Sequence, residues 1–243
     1  MSFVTALILG ATGQTGQQLL QTLLSTAHYS RVGEYGRRVT ASDKLPEAGK
    51  DKLEQSTIDF EKLDSSGLNA KSWDVVFITL GTTRKAAGGA ENFVKIDREY
   101  VINAAKEAKV SENQRLVYLS STGASSSSPF LYTKSKGLTE EGLARLGYKE
   151  TIVFRPGLLT GTDRPDSRWA ETLYGKVTGL LSHVTNSLEI NIGTLAKAMA
   201  IAGKLGSENL PASVRASTVK LQDGTSYTVI GNAGALELAK LDL

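Results

Sequence analysis

Apolar and polar positions along the chain divide it into short buried runs separated by longer segments with helical spacing. The first run, Val4 to Leu9, is followed by a helical stretch from about Gln17 to Leu24. Arg31 to Arg38, around Val32 to Gly36, reads as a second strand, and residues 40–55 are polar enough for a loop. Ser56 to Phe60 reads as a third strand, and Asp74 to Leu80 as a β-branched central one. Glu91 to Lys109 carries Phe93, Ile96, Tyr100, Val101 and Ala104 on or near one helical face. Arg115 to Ser121 is the fifth strand, Ala124 to Pro129 a loop, Leu131 to about Leu146 a helix, and Thr151 to Arg155 the sixth strand. Beyond Gly157 the pattern loosens. Arg164 to Leu181 looks partly helical, Thr194 to Leu205 is an alanine-rich helix, Ser226 to Ile230 a possible strand and Ala233 to Leu241 a closing helix.

Six strands separated by helices or crossovers predict an α/β fold, a doubly wound parallel sheet of the Rossmann type in order 3-2-1-4-5-6. At 243 residues, one domain covering 1–243 is expected. Within it, 1–157 would form a cofactor-binding core and 158–243 a small extension on the substrate side.

The stretch between the first strand and its helix gives that sheet a purpose. Gly10-Ala11-Thr12-Gly13-Gln14-Thr15-Gly16 sets three glycines at a three-residue step. Gly10 would allow the tight turn, Gly13 backbone approach to a pyrophosphate, and Gly16 close packing of helix on strand. The free N–H groups at the helix start would face the anion. The end of the second strand then reads Gly36-Arg37-Arg38, where NAD-preferring proteins place an acid for the ribose 2′-hydroxyl. An arginine fork grips a 2′-phosphate, so the expectation is NADPH/NADP rather than NADH. Asp59 is placed either to meet the adenine amino group or to cap a turn at the strand end. Gly81 and Thr82 are small enough to let the cofactor pass, and Arg84 is read as a surface charge.

Tyr132 and Lys136, four apart, share a helical face. A phenol has a free pKa of about 10, so it needs a nearby ammonium to act as an acid–base group. A serine hydroxyl would orient the carbonyl that the tyrosine protonates as hydride arrives. Ser121 and Thr122, at the end of the fifth strand, are both candidates, and Lys134 points off the face.

Composition narrows the alternatives. Net charge is +3 with no long basic run, which argues against a nucleic-acid partner. There are no cysteines, so disulfides, thiolate nucleophiles and cysteine-held metals are excluded. His28 and His183 stand apart from other ligands, no metal is expected, and no G-x-S-x-G elbow supports a hydrolase. A strand beginning at residue 4 leaves no room for a signal peptide, and no apolar run of about 18 residues occurs. An intracellular, cytoplasmic protein is therefore expected. Thr172 to Leu181 is only mildly amphipathic, weak support for membrane contact.

Several segments together resemble one family. They are Leu9-Gly10-Ala11-Thr12-Gly13 with Thr15-Gly16, Gly36-Arg37-Arg38, Asp59 to Asp64, Leu80 to Arg84, Phe93 to Val101, Leu119-Ser120-Ser121, Phe130-Leu131-Tyr132, Lys136-Gly137 and Val153 to Gly157. Over roughly residues 4 to 170 the chain resembles the Tat-interacting oxidoreductase family of atypical short-chain dehydrogenase/reductases, including its fungal mitochondrial-outer-membrane relatives. The resemblance implies NADPH binding through Gly10, Gly13, Gln14, Thr15, Arg37 and Arg38, continued by Leu80, Gly81, Tyr132 and Lys136, with Leu159 and Arg168 as late cofactor contacts. Thr12, Gly16, Asp59, Thr82 and Pro156 complete the expected cofactor site. It also implies an oxidoreductase acting on a small molecule, and the fungal relatives are described as peripheral to the mitochondrial outer membrane; a monomer or dimer is expected. Animal members are described as regulators of transcription and nuclear transport, so the alternative is an NADPH-binding regulatory protein with little turnover.

Overall fold

The computed structural model describes residues 4–162 and 189–243. Ten strands occur among them, eight in one sheet. In chain order these are β1 (Val4–Leu9), β2 (Tyr29–Gly36), β3 (Leu53–Thr57), β4 (Val75–Ile78), β5 (Arg115–Leu119), β6 (Glu150–Arg155), β9 (Ser217–Lys220) and β10 (Ser226–Gly231). The sheet order is β3-β2-β1-β4-β5-β6-β10-β9, and every pairing is parallel except β10 with β9. The 3-2-1-4-5-6 order expected from the sequence is thus present, lengthened at one edge. A separate parallel pair joins β7 (Leu158–Thr160) to β8 (Glu189–Asn191).

Two apolar layers sandwich the sheet, and β1 shows why its run is unbroken. Ala6 and Ile8 enter one core with Leu19, Leu20, Leu23 and Leu24 of α1 (Gln14–Ser25) and with Leu195, Ala198 and Met199 of α6 (Ile192–Leu205). Leu7 and Leu9 enter the other, with Val101, Ala104, Ala105 and Ala108 of α4 (Tyr100–Ala108), Leu143 of α5 (Leu131–Ala144) and Trp73. Successive side chains of a strand face opposite sides, so a strand covered on both must be apolar at every position.

The segments after 188 belong to this same framework. β10 pairs with β6, α6 packs on α1, and α7 (Asn232–Leu238) sends Ala235 and Leu238 into the first core. The stretch expected to be helical from Arg164 to Leu181 lies outside the described residues.

Three local expectations shift. β3 runs Leu53–Thr57 rather than Ser56 to Phe60, so residues 40–55 are not all loop. Its only sheet partner is β2, and its residues are half-buried or exposed, so it carries no apolar alternation; Ile58 and Phe60 are buried just past its end. β2 begins earlier, at Tyr29. The single helix expected over Glu91 to Lys109 is interrupted. After the short α2 (Arg84–Ala87), α3 (Ala90–Val94) passes into a π-helical turn, Lys95–Glu99, before α4 resumes. Such turns frequently mark functional sites.

Candidate functional site

At the C-terminal ends of β1 and β4, the glycine turn and the loop after β4 hold each other. Gly10 has φ +100, and a Cβ there would lie 2.7 Å from Leu80 N. At Gly16 a Cβ would meet Gly10 O at 2.1 Å, so α1 could not approach the turn with any other residue. Thr79, a residue no motif singled out, ties the two strands. Its N–H donates to Leu9 O at 2.9 Å and its hydroxyl to Gly10 O at 3.0 Å. Gly13 precedes α1 with no side-chain cap and is exposed. Thr12 and Gln14 beside it are half-buried, and Thr15 is buried. A helix start of this kind, with unsatisfied N–H groups, is a site for an anion.

Arg37 and Arg38 follow β2 directly and are exposed. The acid nearest them in sequence, Glu34, is buried and turned to other work. Its Oε1 accepts from Thr40 N and Thr40 Oγ1, both at 2.8 Å, and its Oε2 from Gln55 Nε2 at 2.7 Å. Glu34 therefore pins the loop that carries both arginines, a role no local motif discloses. Asp59 caps its own turn, Oδ1 accepting from Glu61 N at 2.9 Å. Nearby, Phe60 stacks on Tyr100 with ring centroids 5.3 Å apart, and the Tyr100 hydroxyl donates to Glu61. That bond, then partial burial, raises the Tyr100 pKa, while the charge of Arg37 acts in the opposite sense.

Tyr132 and Lys136 lie on the inward side of α5, and Lys134 is exposed as expected. Tyr132 is half-buried, its ring 6.1 Å from that of Phe93. The Lys136 ammonium is deeply enclosed, 3.0 Å from Asp97 Oδ1 and 3.0 Å from the Tyr118 hydroxyl oxygen. Burial alone would lower the lysine pKa. Asp97 first, then Tyr118 and Tyr132, outweigh it, so the ammonium is held well above its usual range. Burial likewise raises the Tyr118 phenol, which leaves it a neutral partner. A Cβ on Gly81 would sit 3.7 Å from Lys136 Nζ and 3.5 Å from Asp97 Oδ1. Gly10, Leu80, Gly81 and Lys136 thus form a continuous lane of backbone and one cation, with Thr82 half-buried just beyond.

The strand-end hydroxyls divide by their surroundings. Ser120 donates to the buried carboxylate of Glu140 and is committed there. Ser121 Oγ is buried without a partner among the described residues, whereas Thr122 is an exposed residue whose N–H donates to Pro156 O at 2.9 Å. Leu159 is half-buried on β7, packed against the first core, and Arg168 lies outside the described residues. His28 is half-buried, its pKa lowered first by burial and then by Lys204 and Arg115; His183 lies outside the described residues.

Residues 10–178 match the NAD(P)H-binding family. The chain is 41% identical over 174 residues to Protein HTATIP2 of Rattus norvegicus, covering 72% of this chain and 70% of that one. It is 38% identical over 160 residues to the mitochondrial protein FMP52-1 of Scheffersomyces stipitis, covering 65% and 68%. With the mitochondrial fmp52-1 of Aspergillus terreus the identity is 30% over 236 residues, 96% and 97% of the two chains. Among solved structures, a UDP-N-acetylglucosamine 4-epimerase from Methanobrevibacter ruminantium superposes with TM-score 0.61 at 13% identity, over 85% and 74% of the chains. A putative NAD-dependent epimerase/dehydratase from Bacillus halodurans does so with TM-score 0.58 at 20% identity, over 98% and 99%. At those identities the likeness speaks for the fold alone, which is the fold of NAD-dependent epimerases and dehydratases. The glycine turn, the paired arginines and the tyrosine–lysine helix therefore sit in a chain that belongs to the NAD(P)H-binding family, in the Tat-interacting oxidoreductase group with HTATIP2 and the fungal FMP52 proteins.

Proposed function

We propose that this protein is an NADPH-dependent oxidoreductase that reduces a carbonyl or related small molecule by hydride transfer. The observation that carries the reading is the lane from Gly10 through Leu80 and Gly81 to Lys136. It links an anion site at the start of α1 to a buried cation on the face that bears Tyr132. The pyrophosphate would lie over Gly13 and the first turn of α1, through the N–H groups of Gln14 and Thr15. Arg37 and Arg38 would take the 2′-phosphate, since Glu34, the nearest acid in sequence, is satisfied by Thr40 and Gln55. Tyr132 would protonate the carbonyl oxygen as hydride arrives from the nicotinamide, with Lys136 as its electrostatic partner. The orienting hydroxyl would be that of Ser121, unpartnered but enclosed, or that of Thr122, exposed at the same strand end. The unit would be a single domain, because β10 extends the sheet beside β6 and α6 and α7 complete the first core.

A second reading, an NADPH-binding regulatory protein with little turnover, has one observation in its favour. Lys136 is already engaged by Asp97 and Tyr118, which leaves less of its charge for Tyr132. The fungal relatives are named mitochondrial, which supports placing this protein there too; no helix among the described residues is long and apolar enough to cross a membrane.

Paired titrations with NADPH and NADH test the cofactor, and Tyr132→Phe tests the chemistry. The reading expects tighter NADPH binding, and a Tyr132→Phe protein that binds NADPH normally but turns over no substrate in a carbonyl screen. Preference for NADH refutes the arginine fork. Unchanged turnover in Tyr132→Phe refutes the acid role.

A further inference from the structure

We propose that Asp97 is the positioning residue of this site, the group that keeps Lys136 charged and aims its ammonium along Gly81. The inference rests on the reading that Lys136 meets the cofactor.

Asp97 lies within an irregular turn of its helix. Phe93, Asp97 and Val101 are all buried, at steps of four residues. In a regular α-helix each such step drifts by about 40° around the axis, which would swing a third residue off the inward face. The π turn at Lys95–Glu99 inserts extra backbone at this point and lets Asp97 stay inward. α5 packs on this turn, Thr139 Oγ1 lying 3.4 Å from Asp97 O. A buried acid in a helix interior is costly unless paired, and the pairing found is with Lys136, 39 residues on.

The geometry is that of a holder, not a ligand. Side-chain exposure is 0% for Asp97 and 5% for Lys136, so a cofactor could touch the lysine and not the acid. An ammonium has three N–H groups. One donates to the Tyr118 hydroxyl, Asp97 Oδ1 lies 3.0 Å from the same nitrogen, and Gly81 stands beside it. Neither Asp97 oxygen receives a well-directed hydrogen bond among the described residues. For fold stability alone such a pair is a weak device, since apolar residues of similar volume commonly do as well. Its distinctive effect is on the charge of the lysine. The titratable groups facing Lys136 are Asp97 from the π turn, Tyr118 from β5 and Tyr132 from its own helix, and Asp97 is the carboxylate among them.

The test is Asp97→Asn, measured beside wild type and Lys136→Met from pH 6.5 to 9.5. Two readouts are taken at each pH, the urea midpoint and the NADPH affinity. In wild type the lysine stays charged in both folded and unfolded chains over this range, so it gives neither curve a slope. In Asp97→Asn the largest opposition to burial is gone and only Tyr118 and Tyr132 remain against it, so the folded pKa falls below the unfolded value. Stability then rises with pH relative to wild type, while NADPH affinity drops from near wild type at pH 6.5 to the Lys136→Met level, about tenfold weaker, at pH 9.5. An Asp97→Asn protein whose two curves parallel those of wild type overturns the proposal, even if both are displaced. If Asp97→Asn does not fold, the double variant Asp97→Asn/Lys136→Met must fold, because both charges are gone; a double variant that also fails to fold overturns the proposal. Lys136→Met binding NADPH as wild type does would instead refute the cofactor reading, while the stability curves of Asp97→Asn still decide the pairing.

Discussion

Glu140 offers the sharpest energetic test of how the site is held. It lies on α5 two turns beyond Tyr132, fully buried, and gathers donors from β6, from β10 and from Ser120 just past β5. Oε1 accepts from Arg155 Nε at 3.0 Å and from Ser120 Oγ; Oε2 accepts from Arg155 Nη2 and from the Tyr227 hydroxyl at 3.2 Å. Burial first, and then this carboxylate, push the Tyr227 phenol up to about 12. Glu140→Gln keeps the shape and removes the charge. Whichever way the amide turns, its NH2 group would face an N–H of Arg155, and the guanidinium would lose its counter-ion. Breaking a buried pair from one side costs about 3–5 kcal/mol. Arg155 is 24% exposed, so water recovers part of this, and about 2–3 kcal/mol is expected. With a urea m-value of roughly 2–3 kcal/mol/M, the midpoint should fall by about 1 M at unchanged slope. Equilibrium unfolding followed by circular dichroism measures it. Removing the charge from the other side as well, in Glu140→Gln/Arg155→Met, should recover much of the loss. A single variant within about 0.5 kcal/mol of wild type, or a double variant losing the sum of both singles, would show that the network does not couple α5 to the strand ends.

Further outcomes follow from the same contacts. Gly16→Ala places a methyl 2.1 Å from Gly10 O, so it should lose about 1–3 kcal/mol and most NADPH affinity together, measured by urea midpoint and cofactor titration. Arg37→Ala with Arg38→Ala should abolish the preference for NADPH over NADH with little change in stability, since both side chains are exposed. Glu34→Gln, one step removed, should weaken that preference by loosening the Thr40 loop; an unchanged NADPH-to-NADH ratio would refute the link. At the start of β6, the end of the strand away from the candidate site, Glu150 is half-buried. Burial alone would raise its pKa, but the Ser207 bonds and Arg115 overcome this and hold it lowered. Its contribution is therefore present above the unfolded carboxylate value and lost as pH falls through the folded one. Glu150→Gln should flatten the acid limb of the stability curve, compared with wild type in urea melts between pH 6 and 3.

The sequence by itself determined the sheet's central order, the glycine turn and the helical face shared by Tyr132 and Lys136, because each is written in neighbouring residues. Strands covered on both sides must be apolar throughout, a turn at φ +100 suits glycine, and a four-residue step sets two side chains on one face. β3 was misplaced by three residues for the complementary reason. Leu53–Thr57 pairs only with β2, is half-buried or exposed, and so leaves no apolar signature, while Ile58 and Phe60 are buried in the turn beyond it. The π turn adds backbone inside an otherwise regular pattern, which periodicity over Phe93 to Ala104 does not reveal. Only the tertiary structure decided what surrounds the candidate chemistry. Asp97 reaches Lys136 across 39 positions, Glu140 meets Tyr227 across 87, and Glu34 is spent on Thr40 and Gln55 rather than on a ribose. A buried charge must find its partner wherever the packed chain brings one, and that choice belongs to the fold rather than to any local stretch of sequence.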